Sequence, residues 1–219
     1  MPTSVITTAA DLAGHALSTL TRGVAALRSP SEKPLHADGE MYAGRLVRSG
    51  TDLPIGVPWI DQPGEDEVTV RLSRAIGLPG RLPDVQGLAL RLRKGQTRYG
   101  DLLLATTGWD PVTRHLLLPA WSADSPLTTL LPYRSPAGPL VIGARAVDVR
   151  GYHLSWAVVG RAWHPLGELT LEMPLLPEDE VSFDPVVNPL PGLRQYAWVE
   201  RLREQSYATA RRLRRASRH

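Results

Sequence analysis

An arginine-rich stretch near the end of the chain contains one tyrosine whose neighbours could alter its chemistry. Within RLREQSYATARRLRRASRH, the residues Arg203, Tyr207, Arg212 and Arg214 follow the spacing R-x3-Y-x4-R-x-R. Residues three, four or seven apart share a helix face, so Arg203, Tyr207 and Arg214 are expected to line up. A guanidinium one turn away favours the phenolate form of a tyrosine, and a phenolate oxygen is an unusual metal ligand. A solvated basic helix with one amphipathic tyrosine explains the same pattern.

A histidine far upstream lies in a segment with its own pattern. His36 belongs to KPLHADGEMYAG, residues 33–44. A lone histidine is more often structural than catalytic. This segment, however, resembles the catalase stretch R-x-x-H-A-x-G-x-x-x-x-G, which carries the distal histidine of that family.

Further short motifs resemble catalase motifs in the family's own order. V-R-L-S at 70–73 is similar to V-R-F-S, PDVQGLAL at 83–90 to D-x-R-G-F-A-x-K, and D-L-L at 101–103 to W-D-L-V. G-E-L-T-L at 167–171 is similar to G-K-L-x-L, and F-D-P at 183–185 with P-G at 191–192 resembles F-x-P followed by P-G. Each motif is short, but their shared order extends the resemblance over nearly all of the chain after residue 32.

The resemblance is better to the small catalase-related heme proteins than to full-length catalases. Full-length catalases add a long N-terminal arm, a wrapping segment and a C-terminal helical domain. The compact form implies heme b, an iron cofactor, with Tyr207 as the metal ligand and Arg203 holding it as phenolate. His36 would act from the opposite heme face as the catalytic general base, and Ser73 would hydrogen-bond its imidazole. The positions matching the cations near the heme propionates are Lys33, Arg71 and Arg214, with Arg212 beside them.

The departures from the family pattern change the expected substrate. The catalase strand W-D-L-V continues into G-N-N-T-P, whose first Asn hydrogen-bonds the bound peroxide, and Ala105 falls at that position here. Thr106 and Thr107 are the nearest alternative donors. The aromatic pair that narrows the catalase channel is also missing, because Gly108-Trp109 follows. The resemblance therefore implies an oxidoreductase that uses hydrogen peroxide or, preferably, organic hydroperoxides, together with a small-molecule reductant.

Two other functions remain open from the sequence. One is a barrel that binds heme or another apolar ligand without significant turnover, which the missing Asn favours. The other is a heme-free structural or interaction protein on the same fold.

Composition limits the classes of protein to consider. The chain has no cysteine, which excludes disulfides, zinc-thiolate sites and a thiolate heme ligand. Its net charge is only +3, from 25 basic and 22 acidic residues, so no global field calls for an anionic polymer. We expect a cytoplasmic protein without a membrane span or specific nucleic-acid partner, as a monomer or homodimer.

Periodicity predicts the elements that must position these residues. Apolar spacing predicts a helix over 5–28 and another over 194–216, while Pro and Gly divide the middle of the chain into short alternating segments. Eight strands are predicted, and eight strands can close into a barrel filled by side chains or one small ligand. They are 41–49, 67–74, 86–93, 101–106, 139–149, 151–162, 167–173 and 180–184. The residues 107–138 are expected to form a long loop, and Trp163 to be the core tryptophan.

The predicted fold class is therefore a β-rich α+β protein. It comprises one domain over 1–219, an eight-stranded antiparallel catalase-like barrel over 33–186. A helical arm over 1–32 precedes the barrel, and a heme-ligand helix with a basic tail over 187–219 follows it.

Overall fold

Antiparallel sheet dominates the part of the chain that the structure describes. In this computed structural model, the described residues are 39–74, 83–94, 98–121, 124–176, 181–197 and 199. Their strands are β1 (Gly39–Ser49), β2 (Pro63–Arg74), β3 (Gln86–Lys94), β4 (Arg98–Thr106), β5 (Leu127–Thr128), β6 (Tyr133–Ser135), β7 (Gly138–Ala146), β8 (Gly151–Val158) and β9 (His164–Pro174). A short helix α1 (Pro58–Asp61) and a 3-10 helix (Thr113–His115) complete these elements.

Eight of these strands close into a ring. The order is β5-β4-β3-β2-β1-β9-β8-β7, and β5 pairs back with β7. Strand β6 pairs with the beginning of β7 outside the ring. Strand β5 closes the ring through only two residues of β4, Ala105 and Thr106.

The expected number of strands is correct, but one predicted strand is wrong. Residues 181–184 form no strand, and the missing member of the ring is the two-residue β5. The predicted loop over 107–138 therefore contains β5, β6 and the 3-10 helix.

Leucine, valine and isoleucine side chains fill the interior of the barrel. Successive residues of a strand point to opposite faces, so one set of alternate positions from each strand meets at the centre. The interior set includes Leu46, Val68, Val70, Leu90, Leu102, Leu104, Ile142, Leu154 and Leu169. Trp156, only 2% exposed, belongs to this core. The prediction for Trp163 is wrong, because that side chain is half-buried and stacks on Trp109 instead.

A turn containing α1 is held against the barrel by a largely buried ion pair. Arg48 Nε donates to Asp66 Oδ2 at 2.7 Å, and the indole Nε1 of Trp59 donates to the same oxygen at 3.1 Å. Arg48 Nη1 also donates to the carbonyls of Trp59 and Gln62. The guanidinium thus ties β1 to the connection between β1 and β2.

The two predicted terminal helices lie mostly beyond the described residues. The helix over 5–28 is wholly outside them. Of the helix over 194–216, Ala197 and Val199 are helical, whereas Arg194 forms a β-bridge with Arg134. Among the described residues, no helix is long and apolar enough to cross a membrane.

Candidate functional site

The outer face of β1 to β4 carries the two predicted site residues that the structure describes. Val70 and Leu72 point toward the interior, so Arg71 and Ser73 occupy the outer face. Cross-strand register then groups the outer residues into rows. Ser73 pairs with Gly39 on one side and with Gly87 on the other, and Gly87 pairs with Ala105.

This row contains no side chain larger than serine. Strands lie about 4.8 Å apart, so Ser73 and Ala105 are separated by roughly 10 Å with only Gly87 between them. Gly87 is buried, and Ser73 and Ala105 are half-buried. Among the described residues of β1 to β4, the small side chains of this row leave room above the sheet for a flat group.

The neighbouring row supplies a positive charge at one end of this small-residue row. Arg71 pairs with Met41 and Ala89. A Cβ added at Gly39 would lie 2.8 Å from Arg71 Nε, so the guanidinium lies directly beside Gly39. The glycine therefore makes room for the arginine, whose charge suits a carboxylate.

Neither threonine after Ala105 offers its hydroxyl to this face. Thr106 points to the interior, is fully buried, and donates to the carbonyl of Leu118 at 2.8 Å. The hydroxyl of Thr107 donates to the carbonyl of Gly108 at 2.9 Å and lies 3.1 Å from the Thr128 hydroxyl. Both alternative donors are thus committed to local structure, and Ala105 has no polar substitute among them.

A fully buried carboxylate lies two rows away on the same face. Asp101 pairs in register with Arg91, whose Nε and Nη2 donate to its two oxygens at 2.7 and 2.6 Å. Residues 181–195, which we call the crossing segment, cover this pair. The backbone N–H of Asp184 and the amide of Asn188 both donate to Asp101 Oδ2, at 2.6 and 2.9 Å.

The crossing segment is attached to the barrel at a second point. Arg194 and Arg134 exchange two backbone hydrogen bonds, at 2.7 and 3.1 Å, which fasten the segment to β6. Leu190 and Leu193 are buried between the two attachments. The segment therefore leads the chain from the outer face of β4 to the helical residues Ala197 and Val199.

The other predicted site residues lie outside the described part of the chain. These are His36, Lys33, Arg203, Tyr207, Arg212 and Arg214. The catalytic, metal and cofactor roles given to them, and to Ser73 and Arg71, remain predictions. Within the described ranges, no group of three or more histidine, cysteine, aspartate or glutamate side chains is placed to hold a metal ion.

Solved structures of two catalases are similar in fold to this chain. Catalase A from Saccharomyces cerevisiae aligns with a TM-score of 0.61 at 12% identity, covering 91% of this chain and 63% of its own. A fungal catalase aligns with a TM-score of 0.60 at 12% identity, covering 91% and 62%. The fold is catalase-like. The chain spans under two thirds of the length of either catalase, and at this identity the likeness concerns the fold alone.

Sequence comparisons add nothing to that likeness. No protein-family model matches the chain, and no curated protein matches it significantly. The catalase-like barrel is therefore recognised from its structure and from scattered short motifs.

The Asp101 network on the catalase-like barrel is hardly visible in the sequence. Asp101 was visible only as part of a D-L-L motif, because its partners Asp184 and Asn188 are 83 and 87 residues away. Its position directly opposite Arg91 on a neighbouring predicted strand was the one available signal.

Proposed function

We propose that this protein is a heme-dependent oxidoreductase of the catalase-related type that reduces organic hydroperoxides in preference to hydrogen peroxide. The observation that carries the proposal is the small-residue row of Ser73, Gly87 and Ala105 beside Arg71, on the outer face of a catalase-like barrel. A heme-free structural protein would have no use for a row of small residues beside an arginine.

The described residues fit a heme group. Heme is a flat ring with two carboxylates, and its ring needs a surface free of large side chains. The small-residue row provides such a surface, and Arg71 lies at one end of it, where it can pair with a propionate. Lys33, Arg212 and Arg214 are the further cations that we assign to the propionates.

We assign the iron ligand to Tyr207 and the control of its protonation to Arg203. A tyrosine has an ordinary pKa near about 10, so a phenolate at neutral pH requires help from a nearby cation. When bound, the heme supplies the iron at which the oxygen–oxygen bond of the hydroperoxide breaks. An anionic oxygen ligand favours the oxidised iron that this chemistry uses.

We assign the proton transfers to this chain's own residues. His36 takes the proton from the terminal oxygen of the hydroperoxide and returns it to the departing oxygen, so that an alcohol leaves. The Ser73 hydroxyl hydrogen-bonds the imidazole and fixes which nitrogen is free to accept the proton. The two electrons that complete the reduction to alcohol and water come from a small-molecule reductant.

Ala105 determines the preference among peroxides. An alanine offers no donor to hold hydrogen peroxide, and the hydroxyls of Thr106 and Thr107 are already engaged. The same small side chain leaves room beside Gly87 for an alkyl group.

A second function is favoured by the same observation. A barrel that binds heme or another apolar ligand without turnover would also have no use for a substrate donor at Ala105. Measured turnover of a bulky alkyl hydroperoxide by the heme-loaded protein distinguishes the two functions.

The decisive variant is Tyr207→Phe, because it removes only the proposed ligand oxygen. Wild-type protein titrated with hemin should develop the absorption spectrum of a ferric heme bound to tyrosinate. Tyr207→Phe should lose that spectrum and most of the bound heme. Tyr196→Phe is the matched control, since Tyr196 is half-buried near the same helix start and has no proposed role.

Two outcomes would contradict the proposal. An unchanged tyrosinate spectrum in Tyr207→Phe would exclude Tyr207 as the ligand. A wild-type protein that binds no heme would favour the heme-free structural reading.

A further inference from the structure

We propose that Asp101 is a positioning residue that fixes the crossing segment, and with it Ala197 and Val199, from which the chain continues to Tyr207. The proposal rests on the proposed function only in naming heme as the group that Tyr207 binds. Its basis is the hydrogen-bond network between β3, β4 and the crossing segment.

Three hydrogen bonds of this network meet at one carboxylate oxygen. Asp101 Oδ2 accepts from Arg91 Nη2, from the backbone N–H of Asp184 and from the Asn188 amide, all within 2.9 Å. Asp101 is fully buried, so a charge placed there is costly unless its partners satisfy it. Arg91 and two groups of the crossing segment satisfy it together.

The network also shapes the crossing segment itself. Arg91 Nη2 donates to the carbonyl of Ser182 at 2.8 Å, and its guanidinium lies 5.4 Å from the centre of the Phe183 ring. The backbone N–H of Asp101 donates to the carbonyl of Asn188 at 2.8 Å. Both ends of residues 182–188 are therefore fixed to one strand pair.

The remaining path to the proposed ligand is short. Arg194 is fastened to Arg134 by two backbone bonds, and Ala197 and Val199 are helical. Tyr207 follows Val199 by only eight residues in the sequence. A shift of the crossing segment would thus be passed to Tyr207 over a small number of residues.

The energetics of the buried ion pair between Asp101 and Arg91 indicate what the pair contributes. An ion pair buried at this position is weak support for stability by itself, because hydrophobic residues of similar volume often do as well. A carboxylate on β4 that collects donors from β3 and from a distant segment, however, admits one arrangement of all three. We therefore assign it to geometry rather than to stability alone.

Two variants of the full chain test the assignment, with a third as control. Asp101→Asn replaces one acceptor oxygen by an amide and removes the charge, and Asn188→Ala removes a single donor from the crossing segment. Asp66→Asn is the control, because it breaks the other largely buried pair, with Arg48, without touching residues 181–195. Far-UV circular dichroism checks that each variant keeps the barrel.

Two measurements are made on each protein. Amide hydrogen exchange without heme reports whether residues 181–195 remain fixed, and a hemin titration reports affinity and the tyrosinate spectrum. Asp101→Asn and Asn188→Ala should exchange faster in the crossing segment, while Asp66→Asn should match wild type there. Heme affinity should fall by roughly five- to 150-fold in Asp101→Asn, the usual range for two coupled sites, with a shifted tyrosinate band.

Two results overturn the inference by itself. One is a crossing segment that exchanges as slowly in Asp101→Asn as in wild type. The other is faster exchange with unchanged heme affinity and spectrum. If wild type binds no heme, the proposed function fails. The exchange data then test by themselves whether Asp101 fixes the crossing segment.

Discussion

Ala105 is the single residue on which the proposed substrate preference depends. Ala105→Asn adds a donor to the row that contains Ser73, and one well-aimed donor is worth up to about 10²–10³ in rate. We expect at least roughly tenfold faster consumption of hydrogen peroxide and slower use of a bulky alkyl hydroperoxide. Stopped-flow rates at matched heme content measure both.

Ala105→Leu is the control, because leucine is of similar size to asparagine but offers no donor. It should slow the bulky substrate without accelerating hydrogen peroxide. The gain from Ala105→Asn should disappear when His36→Ala is added, because the proton transfer is then missing. Equal rates for the two Ala105 variants would mean that volume alone sets the preference.

At the residue scale, the sequence indicates which residues share a strand face, but it does not indicate which distant segments meet. Alternation along β2 places both Arg71 and Ser73 on its outer face. The joint role of Asp101, Asp184 and Asn188 could not be read from the sequence, because tertiary structure alone brings these residues together. The hydroxyls of Thr106 and Thr107 were considered as donors, but their hydrogen bonds to backbone became known only with the fold.

Among the elements, the two errors in strand prediction have opposite physical causes. Residues 181–184 have strand-like composition, but the N–H of Asp184 donates to the Asp101 carboxylate instead of to a neighbouring strand. Strand β5 is too short for alternation to be recognised, and it exists because Thr128 lies in register with both Ala105 and Gly143. The longer strands were recognised because alternation extends over many residues.

The stack of aromatic rings on the outer face of β7 gives a prediction for an element. Trp109 and Trp163 stack with ring centres 4.3 Å apart, and Trp163 Nε1 donates to the carbonyl of Trp109 at 2.8 Å. Arg114 lies 4.4 Å from the Trp163 ring. The rings rest on Gly143, where an added Cβ would lie 2.8 Å from Trp109 Cζ3 and 2.9 Å from Trp163 Cη2.

Gly143→Ala should therefore displace the rings and lower the free energy of unfolding by about 1–3 kcal/mol, as overpacking commonly does. Urea denaturation measures the loss as a lower midpoint at an unchanged slope. In a Trp109→Ala background the same substitution should cost less, because one of the two opposing rings is gone. Strictly additive losses would show that the rings are not what Gly143 accommodates.

For the whole molecule, buried polar groups hold in place β5, the strand that closes the barrel, and the loop before it. Arg114 is 1% exposed, and its Nε and Nη2 donate to the carbonyls of Asp110 and Arg161. Its own carbonyl accepts from the Thr128 hydroxyl at 2.6 Å, which joins the loop to β5. Closure of the barrel is thus coupled to the hydrogen bonds that Arg114 and Thr128 make beside it.

His115 should make the stability of the whole barrel sensitive to mildly acidic pH. Its Nδ1 lies 2.9 Å from the carbonyl of Leu130, and its Nε2 is buried without a hydrogen-bond partner among the described residues. Burial, and secondarily the charge of Arg114, lowers the pKa of His115 below 6.5. Well above pH 6.5, His115 is neutral in both the folded and the unfolded chain. As the pH is lowered below 6.5, the unfolded chain binds the proton first. The free energy of unfolding therefore decreases as the pH is lowered, by at most about 1.4 kcal/mol per pH unit for one proton.

Urea midpoints measured between pH 7.5 and 5 check this expectation, together with two variants. His115→Asn keeps an amide donor in place of Nδ1 but cannot titrate, so its stability should fall less steeply as the pH drops. His153→Gln is the control, because His153 is exposed and lies 3.5 Å from the exposed carboxylate of Glu168. Its pH profile should run parallel to that of wild type. If the profile of His115→Asn is also parallel, then protonation of His115 does not limit the closed barrel in acid.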